Sequence, residues 1–214
     1  MTNTNYLKQM AYTMLLREGV RYLPLNPVSL IRRKTYRLKP YHQIAPPNES
    51  PELIVEKYGN AFVAPSDDSR HDAPYVLGVN ANCSRLEREW ALLHELAHIE
   101  LGHVTDVMSY SGYDEAKEVM ENEARSFVFF MACPDVILEH LGAKTANEIC
   151  TICNIPYKEA LKKAQYFKSV GYKLNSLKPE SPLEKRLVYM FRDYIEDYHT
   201  KKKIEWEISS ELCF

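Results

Sequence analysis
The stretch RLEREWALLHELAHIELGH, residues 85–103, restricts what this chain can fold into more than any other. Within it, His94, Glu95, Leu96, Ala97 and His98 spell H-E-x-x-H. Residues four apart on a helix stand one turn apart on the same face, so both imidazoles can reach a single metal ion. Glu95 follows His94 by one position and lies about 100° round the helix, beside the ion rather than on it. A carboxylate in that place can take a proton from a water that zinc has brought to a pKa of about 7. The flanks are those of a helix. Ser84 and Glu87 make an S-x-x-E capping box at its start. Leu86, Trp90, Leu93, Ala97 and Leu101 repeat at helical spacing and predict a buried side, and Gly102 stands where the helix can end.

A catalytic zinc takes three protein ligands and leaves one position for water, whereas a structural zinc is closed by four. His103 is not the expected third ligand. It follows His98 by five residues, where the pattern H-E-x-x-H-x-x-G-x-x-H needs six and a differently placed glycine. It reads as a helix-end histidine, favourable against the C-terminal dipole. A second helix is predicted downstream, with Met120, Ala124, Phe127, Val128 and Met131 as its buried stripe. Glu121 and Glu123 flank that stripe at about equal angles, so periodicity leaves both as candidate ligands.

The run H-E-L-A-H-I-E-L-G-H, followed by E-x-x-A at Glu121 to Ala124 and by F-x-x-x-x-x-C-P at Phe127 to Pro134, resembles the ImmA/IrrE family of bacterial metallopeptidases. The resemblance covers residues 25–134 and is strongest over 75–103. It implies an α+β, thermolysin-like (gluzincin-type) domain, with a small twisted sheet packed on the zinc-site helices. It implies Zn2+ held by His94, His98 and Glu121, with Glu123 as the alternative ligand and Glu95 as the catalytic base. Arg125 stands where the family carries Asn or Asp to orient a ligand. The family also implies that the strand before the zinc helix, with Tyr75, Leu77 and Val79, is a sheet edge to which an extended substrate pairs, an ordinary interior strand being the alternative. The implied substrate is a helix-turn-helix transcriptional repressor, as encoded on phage or mobile elements.

Length and composition fit one catalytic domain with an appendage: 214 residues, of which 45% are apolar, can bury a sizeable core. The expected division is 1–142 for the metallopeptidase-like domain and 143–214 for a mostly helical extension. A net charge of −2 argues against a general nucleic-acid or membrane footprint. Five cysteines, an odd number, and an N-terminus without a signal-peptide pattern point to reduced thiols and a cytoplasmic chain.

Taken in order, the first helix holds Leu7, Met10, Ala11, Met14 and Leu15 and closes at Gly19. Asn26-Pro27 opens a helix to about Tyr36, Lys39 to Ile44 reads as a strand, and Ser50-Pro51 caps a helix to Lys57. Ala61 to Pro65 and Pro74 to Val79 read as strands, joined by a polar loop in which His71 is a surface residue. Tyr110 and Tyr113, between the two metal helices, are candidate donors to a tetrahedral oxyanion. Residues 143–171 form a helix-turn-helix-like pair whose second helix carries Lys158, Lys162, Lys163 and Lys168. Packing or partner docking is the expected role of that pair, with DNA contact the lesser expectation. Cys150 and Cys153 form a lone C-x-x-C, expected to be packing residues. A last helix spans 182–198, with Ile204 to Phe214 a final strand or tail.

Two functions from different classes follow. One is a site-specific zinc endopeptidase acting on a DNA-binding regulator. The other is a zinc-stabilised, non-proteolytic regulatory protein that binds a partner or DNA, such as a toxin-antitoxin or phage regulator component. Four protein ligands on the metal would mark the second.

Overall fold
The computed structural model describes residues 4–44, 50–66, 73–104, 115–169 and 181–211. It is α+β, with three strands and nine α-helices among the described residues. The helices are α1 (Thr4–Arg17), α2 (Pro27–Arg33), α3 (Pro51–Tyr58), α4 (Arg85–Glu100), α5 (Glu115–Ala132), α6 (Asp135–His140), α7 (Ala146–Cys153), α8 (Tyr157–Ser169) and α9 (Pro182–Glu211). The strands are β1 (Arg37–Pro40), β2 (Ala61–Pro65) and β3 (Tyr75–Val79). No helix among the described residues is long and apolar enough to cross a membrane.

The chain divides into two compact units, one of residues 26–128 and one of residues 5–25 with 129–214. The division falls inside α5. The N-terminal helix also groups with the C-terminal ones. Its Tyr12 hydroxyl accepts a hydrogen bond from the Asp135 backbone N–H at 2.8 Å, a contact across 123 residues that no local pattern announces.

In the first unit the sheet order is β1-β3-β2, with β3 parallel to β1 and antiparallel to β2. Tyr75, Leu77 and Val79 therefore lie on the central strand, and the expectation that they form an edge is corrected. Both sides of their backbone are already committed to neighbours, which leaves β1 and β2 as the edges. The strand expected at Lys39 to Ile44 is displaced to Arg37–Pro40. Beyond Pro40 the chain turns through a 3-10 segment, and Tyr41 is buried with its hydroxyl donating to the Gly59 carbonyl at 2.8 Å. Gly78 sits under the Phe62 ring, where an added Cβ would come within 2.5 Å of the ring edge. That ring packs against Tyr41 and Tyr58, so it has little room to give.

Local signals set the helix ends. Asn26 accepts from the Ser29 N–H, and Ser84 with Glu87 and Thr145 with Glu148 form complete capping boxes. Gly59 and Gly142 close their helices at positive φ. The deeply buried side of α4 runs through Leu92, Leu93, Leu96, Ala97 and Ile99, while Leu86 and Trp90 at its start remain half-buried. At the C-terminus, α9 continues to Glu211, so 204–211 is helix and not a strand. After Pro182 the segment contains no Gly or Pro, and Lys201–Asp197 and Lys203–Glu207 pair one turn apart.

The second unit is built round a buried ion pair. Lys163 on α8 and Asp135 on α6 are both fully buried and bonded to each other. Lys163 also lies over the Phe129 ring at 4.0 Å, and Lys8 reaches Asp135 at 3.2 Å and Glu184 at 3.0 Å. The lysines of α8 are thus not a single basic face: Lys163 is internal and Lys162 is held by Glu159 at 2.8 Å. Among the described residues the cysteines are free thiols, with Cys153 buried beside Cys133 and Cys150 donating to the Ile155 carbonyl. Asp135→Ala, which strands a buried ammonium, is expected to cost about 3–5 kcal/mol in urea unfolding. Asp135→Ala combined with Lys163→Met should recover most of it. A loss under about 1 kcal/mol in the single variant would mean that Lys163 reaches water once its partner is gone.

Candidate metal centre
The helix α4 presents His94 and His98 one turn apart, ring centroids 4.7 Å apart, with their Nε2 atoms separated by 3.1 Å. The first half of α5 brings Glu121 against both. Its Oε2 lies 3.2 Å from His94 Nε2 and its Oε1 3.3 Å from His98 Nε2. Two imidazole nitrogens and both oxygens of one carboxylate thus converge, an arrangement that is repulsive unless protons or a cation sit between them. Bonds of about 2.0–2.1 Å to a tetrahedral zinc would put neighbouring donors about 3.3–3.4 Å apart. The 3.1 Å between the two imidazole nitrogens is close to that spacing, and each imidazole has a Glu121 oxygen at 3.2–3.3 Å. Two imidazoles and a carboxylate suit zinc and several other divalent first-row metals. The His94 and His98 imidazoles beside it hold the Glu121 carboxyl far below its ordinary pKa, so it is anionic and ready to ligate.

Glu95 occupies the flank of this cluster. Its burial, followed by the nearby negative charge of Glu121, pushes its pKa up to about 8, while the Val63 backbone N–H donates to it and pulls the other way. A cation on the three ligands would lower it again. A carboxyl whose proton affinity is tunable near neutrality is what general acid–base work needs.

The Val63 contact has a topological cause. Ser66 N–H bonds the Pro74 carbonyl and Asn80 N–H bonds the Asn60 carbonyl, so the even-numbered residues of β2 face β3. The odd-numbered residues, Val63 among them, point their backbone groups away from the sheet. Among the described residues that edge of β2 carries no further strand, and its Val63 N–H faces Glu95.

Glu123 and His103 meet each other beside the cluster. Glu123, the alternative ligand, is outside the cluster of three; its Oε2 is 3.2 Å from His103 Nε2. His103 is buried against His98, Nδ1 to Nδ1 at 3.1 Å, on the side of that ring opposite the cluster. It is more than a helix-end residue. Arg125, two-thirds exposed, reaches Glu121 Oε2 at 3.6 Å and touches neither ligand histidine. Tyr110, Tyr113 and His71 lie outside the described residues. The signal missed in the sequence is the H-x-x-x-G-H ending of α4. Its Gly102, at φ 71°, turns the chain so that the residue after it returns to His98.

A family model described as the IrrE N-terminal-like domain matches residues 52–169, over half of the chain and all of the site. No curated relative and no solved structure matches.

The protein is expected to bind one zinc per chain. Zinc at a hundred times its Kd should stabilise the fold by about 2.7 kcal/mol, read from thermal melts with and without metal. His94→Ala and Glu121→Ala should lose that shift, and a shift retained by Glu121→Ala would place the third ligand elsewhere.

Proposed function
Because the chain belongs to the ImmA/IrrE family of metallopeptidases, we propose that it is a zinc endopeptidase of thermolysin-like (gluzincin) type that cuts a cytoplasmic regulatory protein, a helix-turn-helix repressor being the substrate the family suggests. The observation that carries the reading is the meeting of His94, His98 and Glu121, with Glu95 beside them and outside the ligand set. The metal, when bound, would polarise the scissile carbonyl and acidify water. Glu95 takes a proton from the attacking water and returns it to the departing amine nitrogen. Among the described residues His94, His98 and Glu121 would leave a position for water, since His103 and Glu123 are engaged with each other.

The open edge of β2 supports an extended peptide as substrate. A strand laid along Ala61–Pro65 would pair with the outward backbone groups, next to Glu95. This moves the substrate edge from Tyr75, Leu77 and Val79 to β2. The second reading, a zinc-stabilised regulator that cuts nothing, draws on Arg125, which takes the place of an orienting Asn or Asp.

Tagged Glu95→Gln is the test. It should bind metal as wild type does, trap its substrate, and cleave it about 10²- to 10⁴-fold more slowly, followed by intact mass. Capture of a DNA-binding regulator that wild type cuts once supports the protease. A captured partner that zinc-loaded wild type never cuts favours the regulator. Full cleavage by metal-loaded Glu95→Gln would remove Glu95 from the mechanism.

A further inference from the structure
The last turn of α4 ends in a paired hydrogen-bond pattern. His103 N–H bonds the His98 carbonyl at 2.9 Å and Gly102 N–H bonds the Ile99 carbonyl at 3.0 Å, with Gly102 left-handed between them. This is a Schellman motif, which brings the side chains of its first and last residues together. Such a contact is commonly apolar. Here the two residues are His98 and His103, so the motif clamps two imidazoles Nδ1 to Nδ1 at 3.1 Å. Both rings are buried, and Glu123 closes the chain at His103 Nε2, at 3.2 Å.

The proton arrangement is then determined. His98 Nε2 faces Glu121 and His94, so as a ligand it must be free of a proton there. Its neutral form carries the proton on Nδ1 and donates it. Among the described residues the partner atom there is His103 Nδ1, which must therefore be an acceptor. His103 is then protonated on Nε2, and that N–H points at the Glu123 carboxylate. Every donor in the series Glu123, His103, His98 meets an acceptor in this one tautomeric state.

We propose that His103 and Glu123 are positioning residues for the metal: His103 fixes the tautomer and ring orientation of His98, and Glu123 acts on the metal only through His103. The inference rests on the metal reading of His94, His98 and Glu121 and is independent of whether the protein cuts a substrate. Neither residue is a ligand. A ligand histidine normally leans on a carboxylate, a carbonyl or water, and losing such a partner weakens metal binding about 10- to 100-fold.

The experiment is a zinc titration against a chromophoric chelator, run on full-length wild type, His103→Phe, Glu123→Ala, Glu123→Gln and the double variant His103→Phe/Glu123→Ala. Thermal melts without metal are run alongside to report folding. His103→Phe, which keeps a ring in the buried space, should bind zinc about 10- to 100-fold more weakly. Glu123→Ala should weaken binding less. Glu123→Gln, which still accepts from His103 Nε2, should restore most of that loss. In the His103→Phe background, Glu123→Ala should cost nothing further. In zinc-loaded wild type, ¹⁵N-detected imidazole spectra should show His98 protonated on Nδ1 and His103 on Nε2. Should His103→Phe fail to fold, the Glu123 pair and the wild-type spectra still decide. Zinc affinity unchanged in a folded His103→Phe, an undiminished Glu123→Ala effect in the double variant, or His103 protonated on Nδ1 would each overturn the inference alone. Wild type that takes up no zinc would overturn the site reading and the inference with it.

Discussion

Two imidazole nitrogens and a carboxylate held within 3.3 Å of one another are the constraint on which the first unit depends. Such a group is repulsive unless protons or a cation sit at its centre, and its donors come from two helices. The buried faces of α4 and α5, with Leu93, Leu96 and Ala97 on one and Ala124, Phe127 and Val128 on the other, fix where the donors sit. Packing energy is thereby used to hold a polar cluster in a geometry that free side chains would not keep. The same logic extends outward, since a ligand ring is only as well placed as the group behind it. His98 is backed by His103, which is backed by Glu123, and all three positions follow from the way α4 stops.

The sheet serves the site through its edge. With β3 in the middle, the outward backbone groups of β2 are the ones presented to Glu95. An edge strand is normally an aggregation hazard, and β2 is short and ends in Pro65, which has no N–H to offer. Two features that limit unwanted pairing therefore flank the segment where pairing with a peptide would be useful.

The second unit follows a different economy. Its interior accepts a lysine and an aspartate with no exposure, surrounded by Phe129, Phe130, Tyr166 and Phe167. A buried pair of this kind adds little net stability over apolar residues of the same size, but it penalises any arrangement that separates its members. It ties α6 to α8, and through Lys8 and Tyr12 it ties in the N-terminal helix. Consequently α8 cannot offer the four-lysine face that its sequence suggests.

The sequence by itself determined whatever depends on spacing within one element. The period of α4 puts His94 and His98 on one face with Glu95 beside them, and the capping residues at Ser84, Thr145 and Ser50 locate helix starts. It also carried the α+β class and the family, because both rest on local pattern. Only the tertiary structure placed Glu121, and not Glu123, against His94 and His98. They flank the same stripe on α5 symmetrically, but Glu121 meets His94 and His98 whereas Glu123 meets His103. The edge strand was undecided for the same reason: pairing is non-local, and an alternating strand such as 75–79 reads alike in the middle or at the rim. His103 lies between these cases. Its distance from His98 is written in the sequence, but its role required the left-handed turn at Gly102 and a carboxylate from another helix to meet it.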